Sequence, residues 1–451
     1  MERNVGKECW MNLDRKAPKR IAAAVLNSLK GGVVPRVGLE YITVGRSAEI
    51  NALLRDVELI AEGGAAFRFL VGRYGSGKSF LLQTIRGHVL EKGFVALDAD
   101  LSPERRFSGT RGQGLATYRE LMRSMSTRGK PDGGALPLVL EKWISGIQTQ
   151  VTLETGLAPG DSGFDPAVTG RIFQVVQTME NMVNGFDFGL VLSKYWRAHR
   201  DGDEQGKSQA LRWFRGEFST RTEARQALGT RLIVTDDNWY DFLKLLSAFL
   251  VQAGYRGMLV FIDELVNLYR IPHRVTRQYN YEKLLTMYND ILQGKARHMG
   301  MFIGATPQCM EDADKGVFSY DALRSRLTEG RFAQLGGHRR DLLSPILRLE
   351  PLTHGELLVL TEKLAALHAT LYDYECALTP EEALAFLRVE LERIGAAVHI
   401  TPREVIRDFI ELLNLASQSG KGISALLEEG GFALSAGDQE DPEDEFAGFE
   451  I

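Results

Sequence analysis

The residues with the clearest capacity for chemistry are Gly72-Arg73-Tyr74-Gly75-Ser76-Gly77-Lys78-Ser79. They spell GxxxxGK[ST] in full. Gly75 and Gly77 let the backbone curl so that successive N–H groups point inward at phosphate oxygens. A helix opening at Lys78 adds its positive dipole end. Lys78 can reach β- and γ-phosphates, and the Ser79 hydroxyl can ligate Mg2+. With Phe80 closing the segment, the chemistry expected here is capture of a nucleoside triphosphate.

Such a loop needs an acidic residue at the end of a neighbouring strand to hold Mg2+ through water. The run MLVFIDE supplies one. Asp263 falls at the carboxyl end of the apolar stretch, the edge at which open α/β sheets bind ligands. Glu264 is then the residue expected to orient and polarise an attacking water. A second apolar run, MGMFIGA, ends at Thr306, whose hydroxyl can sit between the metal site and the γ-phosphate. Gln308 competes for the same role.

The surrounding pattern positions these groups. AFRFLVG (66–72) is a short apolar run ending in glycine, which suits a buried strand, and a helix is expected from about Lys78 to Lys92. FVALDADL (94–101) reads as the next strand. Strand, loop, helix, strand is a βαβ unit, so a parallel sheet follows. Further strands are expected at 257–263 and 298–306, and helices at Ala17 to Lys30, with apolar residues every fourth place, and at Ser47 to Ala61. Between 103 and 235 there is no strand rhythm. Helical stretches near 115–127, 135–150, 168–183, 190–200 and 207–228 are separated by Gly, Asp and Pro, and helix resumes at 239–253. From 341 the chain reads as helical, broken at Pro345, Pro351, Pro380 and Pro402.

Composition sets wider limits. With 451 residues, 44% apolar and 25% charged, the chain is an ordinary globular one, long enough for a large core. The formal charge of −5 is a property of one end. Asp438 to Ile451 carries seven acidic residues and no basic one, so residues 1–437 stand at +2. The three cysteines, Cys9, Cys309 and Cys376, are far apart and form no metal-ligand spacing with the eight histidines. Reduced thiols are expected. No apolar signal core opens the sequence and no run reaches membrane-helix length, so the expected location is the cytoplasm, with no membrane partner.

In order along the chain stand GR-x-x-E (Gly45, Arg46, Glu49), the phosphate loop, the apolar strand with Asp263-Glu264, the strand ending at Thr306, the helix DALRSRL and a last helix opening TPREVIRDF. This order resembles an AAA+ ATPase of the origin-recognition/initiator type. More narrowly, LKGGVVPRVGLEYITVGR, GGAAFRFLVGRYGSGKSFLL, ALDADLSPERR and VFIDELVNL resemble the ATP-binding proteins of bacterial BREX phage-defence systems. Among these, the smaller ATPase usually encoded beside an Lhr-like helicase is the nearest in kind. The resemblance spans roughly residues 20–425.

It implies an α/β AAA+ fold with a parallel sheet and a C-terminal helical lid, beside which the long stretch within the core stands as a large helical insertion that the general fold does not explain. The corresponding segments are an N-terminal basic segment (1–40), the ATPase core in two parts (41–102 and 238–340), the insertion (103–237), the lid (341–430) and a disordered acidic tail (431–451). It implies ATP and Mg2+ as cofactors, with Val44, Gly45 and Arg46 lining the base. It implies an arginine acting on a neighbouring subunit's γ-phosphate, at Arg326 or its alternative Arg324, and a second arginine, Arg403, from the lid. Arginine suits the task because its planar fork stays charged and binds phosphate bidentately. Self-association, a helicase and other defence proteins are the implied partners.

Two departures stand out. Asp263 follows Ser79 by 184 residues, far more than an AAA+ core uses. Only 48 residues follow Arg403, too few for the winged helix that initiators carry. A DNA surface is therefore sought elsewhere. Residues 104–130 hold seven Lys/Arg against two acidic residues, and residues 194–231 hold nine against five. Tyr195, Trp196, Trp213, Phe214 and Phe218 are interleaved in the second stretch, where they could stack on bases, although aromatics at helical spacing are more often core and basic faces are usually solvated. Arg331, His338, Arg339 and Arg340 form a third basic cluster. Three functions remain open: an ATPase that remodels or licenses a DNA-directed complex, a nucleotide-dependent assembly switch, and a DNA-binding adaptor.

Overall fold

The computed structural model describes residues 16–179, 182–328, 341–376, 378–393 and 401–429. Cys9, the acidic tail and the Arg331–Arg340 cluster lie outside the described residues. The chain divides into two compact units, each built from separate stretches. One draws on Met1–Ser47, Tyr74–Phe80 and Leu349–Ile451, the other on Ala48–Arg73 and Leu81–Arg348.

In chain order, α1 (Lys19–Lys30) and α2 (Ser47–Ala61) precede β1 (Ala65–Val71). The phosphate loop follows, then α3 (Lys78–Glu91) and β2 (Val95–Asp100). Helices α4 (Gln113–Ser124), α5 (Leu136–Thr155), α6 (Phe164–Met179), α7 (Gly185–Asp201), α8 (Glu204–Phe214), α9 (Arg221–Leu228) and α10 (Trp239–Gln252) come next. The chain returns to the sheet with β3 (Met258–Asp263), the short α11 (Val266–Tyr269), α12 (Arg274–Leu292) and β4 (Met299–Ala305). After α13 (Pro307–Glu311) and α14 (Asp321–Leu327), β5 (Ile346–Arg348) completes it. Helices α15 (His354–Tyr372), α16 (Pro380–Arg393), α17 (Pro402–Ser419) and α18 (Ile423–Glu428) follow.

In the sheet unit the strands lie in the order β2-β3-β4-β1-β5, every pair parallel. Parallel strands are covered on both faces, which is why β4 reads as an unbroken apolar run and is buried at every position. Parallel pairing also brings all carboxyl ends to one edge. Asp100 pairs in register with Asp263 there, and Val71 with Ala305. Arg68, on the otherwise apolar β1, donates to Asp56 of α2 at 2.6 and 2.9 Å and to the Ser344 carbonyl ahead of β5. Removing either partner of so buried a pair typically costs about 3–5 kcal/mol.

Strand β5 corrects the expectation of helix alone after 341. Its three residues are too few to show a period, yet they pair with Phe69 to Val71, and Phe69 N donates to the Pro345 carbonyl at 2.8 Å. Helices α4 to α10 pack into the same apolar core as the sheet. Of the two readings of the insertion aromatics, base stacking and core packing, the structure favours the core. Tyr195, Trp196, Trp213, Phe214 and Phe218 are each at most 2% exposed. Trp213 Nε1 donates to the Leu232 carbonyl at 2.7 Å, and Phe188 packs edge-on to both Trp213 and Phe214. Each large ring buries roughly 150–250 Å2, so these residues hold the insertion together.

The unit that carries α1 and α15 to α18 has a separate core. Val25 and Leu26 of α1, Leu360 and Leu364 of α15, Phe386 of α16, and Val405 and Phe409 of α17 form it. Val44 and Phe80 pack against its margin. Among the described residues no helix is long and apolar enough to cross a membrane.

Candidate nucleotide site

The phosphate loop leaves β1 at the carboxyl edge of the sheet, where Gly72 N donates to the Ala305 carbonyl at 3.1 Å. Gly75 has φ +74° and Gly77 φ +93°, a region that L side chains enter only at a cost of about 1–2 kcal/mol. The two glycines serve different ends. A Cβ on Gly77 would meet nothing within 4 Å, so the backbone angle alone calls for glycine. A Cβ on Gly75 would lie 2.8 Å from Thr401 Oγ1 and 3.0 Å from Thr401 Cβ, so close approach to the start of α17 calls for it as well. Lys78 and Ser79 open α3, whose first turn holds no acidic residue. The N–H groups and the positive dipole end of a helix start favour an anion. Ser76 is buried, and its Oγ has no hydrogen-bond partner among the described residues.

The segment ahead of α2 is fastened to the same unit. Thr43 Oγ1 donates to the Leu39 carbonyl at 2.7 Å, and Lys363 Nζ donates to the Thr43 carbonyl at 2.7 Å. Burial pulls the Lys363 ammonium below the usual lysine range. Gly45, with φ +68°, presses on α15, where an added Cβ would lie 2.5 Å from the Glu356 carboxyl. Arg46 is buried. Its Nη2 donates to the Ser76 carbonyl at 3.1 Å and the Glu350 carbonyl at 2.8 Å, tying the segment to the phosphate loop and to the stretch ahead of α15.

Arg403 stands on the first turn of α17, where Thr401 and Glu404 make a reciprocal capping box and Pro402 takes the first helical position. This is the helix start expected from TPREV. Arg403 Nη1 donates to Tyr74 Oη at 2.5 Å, and the guanidinium carbon lies 5.1 Å from the Tyr74 ring centroid.

The carboxylates belong to the sheet unit. Asp263 Oδ1 accepts from Glu264 N at 2.9 Å. Gly304 of β4 faces it, and a Cβ there would lie 2.2 Å from Asp263 Oδ1. Glu264 is exposed and has φ +58°, a left-handed angle that costs a non-glycine residue about 1–3 kcal/mol and recurs at functional sites. The turn is held by Leu265 N on the Gly304 carbonyl and by Asn267 Nδ2 on the Leu101 carbonyl at 2.9 Å. Asp100 reaches solvent on one side. Burial, and then the like charge of Asp263, raises its carboxyl above the usual carboxylate range.

Thr306 caps α13, its Oγ1 accepting from Cys309 N at 3.2 Å. Gln308 Nε2 donates to Tyr269 Oη at 3.1 Å, and Tyr269 in turn donates to Asp312 at 3.2 Å. Arg324 and Arg326 are both exposed on α14. Arg324 pairs with Asp321 at 2.5 Å, whereas Arg326 Nη1 donates to the Ala322 carbonyl of its own helix at 2.7 Å.

The structure thus brings Val44, Gly45, Arg46, Tyr74, Gly75, Ser76 and Arg403 into one unit, and Asp263, Glu264 and Thr306 onto one sheet edge of the other. Sequence reasoning missed Gly304, Asp100 and Gly32. An isolated glycine inside a strand was the available signal for Gly304. The donor set fits the cofactors that the resemblance implies. A glycine cradle, an orphaned buried hydroxyl and an acid-free helix start suit a polyphosphate. Each unit also carries a hard oxygen donor of the kind Mg2+ takes, Ser79 in the one and Asp263 in the other.

A family model described as BREX system ATP-binding protein BrxC/D matches residues 17–423. No curated protein matches the chain.

Proposed function

The chain belongs to the BREX system ATP-binding protein BrxC/D family, and from that premise we propose that it binds ATP with Mg2+ and hydrolyses it in the service of bacteriophage defence. The loop N–H groups and Lys78 hold the phosphates. Val44 and Gly45 flank the base, while Arg46 braces the loop. Ser79 and Asp263 are the residues that would hold Mg2+, which would supply charge neutralisation to the phosphates when bound. Glu264 accepts a proton from the attacking water as its oxygen bonds to the γ-phosphorus. The bond to the β-bridging oxygen breaks, and ADP and phosphate leave. Thr306 or Gln308 contacts the γ-phosphate side. Arg403 acts from the lid, and Arg326 on a neighbouring subunit's site, as in AAA+ proteins.

The observation that carries this reading is the left-handed backbone at both Gly75 and Gly77, directly ahead of Lys78-Ser79. ATP turnover tests it, measured for wild type and Lys78→Ala with and without chelated Mg2+. Turnover in the wild type that chelation and Lys78→Ala both abolish is expected. A wild-type rate no higher than that of Lys78→Ala would remove the hydrolysis reading.

One observation favours a second emphasis, a nucleotide-dependent assembly switch. Arg403 of the lid touches Tyr74 of the phosphate loop, so occupancy of the loop and placement of α17 are linked. On this reading ATP drives self-association, or recruitment of a helicase and other defence proteins, at slow turnover. Size measurement with and without a non-hydrolysable analogue separates the two. DNA contact through residues 104–130 and 194–231 now rests on charge alone, with Lys194 and Arg197 exposed on α7. The proposed site of action is the cytoplasm.

A further inference from the structure

Three features of the lid unit converge on one guanidinium. Tyr74 offers its ring face and its hydroxyl, the latter bonded to Arg403 Nη1 at 2.5 Å. Gly32, just past the end of α1, has φ +68°, and a Cβ there would lie 2.6 Å from Arg403 Nη2. Gly75 leaves room for Thr401, two residues before Arg403, and a Cβ on Gly75 would also lie 3.4 Å from Arg403 Cβ. The side chain is therefore seated between the turn after α1 and the third residue of the phosphate loop. Among the described residues, no carboxylate lies within ion-pair distance of Arg403. Among those residues it has no acidic partner, and it is held beside a loop shaped for phosphate. Tyr74 itself is 65% exposed, more than a ring kept for core packing would be.

We propose that Tyr74 is a positioning residue: its ring and hydroxyl, with the space left by Gly32, hold Arg403 ready for the γ-phosphate of a bound nucleoside triphosphate. This rests on the nucleotide-binding reading above and adds to it a means of telling ATP from ADP. Arginine over an aromatic face keeps its fork planar and charged, and an arginine ordered in advance loses less freedom when a phosphate arrives. ADP lacks the group that the guanidinium would meet. The contact should therefore favour the triphosphate selectively, whereas a residue that merely shapes the loop would affect both nucleotides alike.

Calorimetric titration of the full chain tests this, with a non-hydrolysable ATP analogue and with ADP, both with Mg2+. The proteins are wild type, Tyr74→Phe, Tyr74→Leu, Gly32→Ala, Arg403→Ala, the Tyr74→Leu/Arg403→Ala double variant and Lys78→Ala. Tyr74→Leu should weaken the triphosphate about fivefold and ADP less than twofold, the size of an exposed cation–π contact. Tyr74→Phe keeps the ring and should recover part of the loss. Gly32→Ala displaces the guanidinium from the other side and should repeat the selective loss. The double variant should bind no more weakly than Arg403→Ala alone, because the two residues act as one unit. Equal losses for triphosphate and diphosphate, or full additivity of Tyr74→Leu with Arg403→Ala, would overturn the proposal. Wild type binding neither nucleotide, or Lys78→Ala binding both normally, would instead overturn the nucleotide-binding reading beneath it.

Discussion

Two exposed arginines of this chain are held in opposite ways. Arg403 of α17 has a ring beneath it, a hydroxyl on one nitrogen and a glycine making room for another. Arg326 of α14 has the Ala322 carbonyl of its own helix and, among the described residues, no carboxylate in ion-pair range. Exposure does not separate them; their surroundings do. An arginine that must act within its own chain needs its orientation supplied by that chain. One that acts on a second copy takes its orientation from the copy, and the protomer has only to present it. The contrast supports reading Arg403 as the internal arginine and Arg326 as the external one.

The contrast can be broken in four steps of falling size. Arg326→Ala should lower ATP turnover about a thousandfold, the lower range for an arginine supplied between subunits. Mixing it with Lys78→Ala should restore part of the rate, since each protein then carries what the other lacks. No recovery where subunits exchange would move Arg326 out of the trans role. Gly304→Ala spares both arginines but drives a methyl to within 2.2 Å of Asp263 Oδ1. A carboxylate displaced by about an ångström should cost roughly a hundredfold in turnover. A near-normal rate with intact circular dichroism would contradict the role given to Asp263. Arg403→Ala should cost about tenfold, the worth of one charge-assisted bond to phosphate, and mixing with Lys78→Ala should not rescue it. Arg324→Ala should change the rate by less than about twofold, because its exposed pair with Asp321 is worth little and occupies the guanidinium. A larger loss would exchange the roles of Arg324 and Arg326.

How much of this was legible in the sequence follows from the range of the interactions. Strands β1 to β4 fell within a residue or two of their expected places, because a buried parallel strand is a dense apolar run bounded by turn residues. The N-terminal cap of α17 was legible for the same local reason. Strand β5 was not, being three residues between prolines. The aromatics of α7 and α8 could be read as a stacking surface or as core, since helical spacing alone does not tell a core ring from an exposed one. The site divides in the same way. The loop, Asp263 and Glu264 carry local signals. The left-handed turn at Glu264 is held by the Gly304 carbonyl of β4, far along the chain. The seat of Arg403 joins Gly32, Tyr74 and the first turn of α17, far apart along the chain. No periodicity records such a meeting.

The central claim is that Glu264, set in a left-handed turn beside Asp263, activates the water that cleaves ATP. Steady-state ATP turnover of Glu264→Gln against wild type tests it most directly, with ATP affinity measured in the same samples. Loss of a positioned general base predicts a fall of about a hundredfold or more with ATP still bound. A Glu264→Gln protein that binds ATP and turns it over at the wild-type rate would contradict the account.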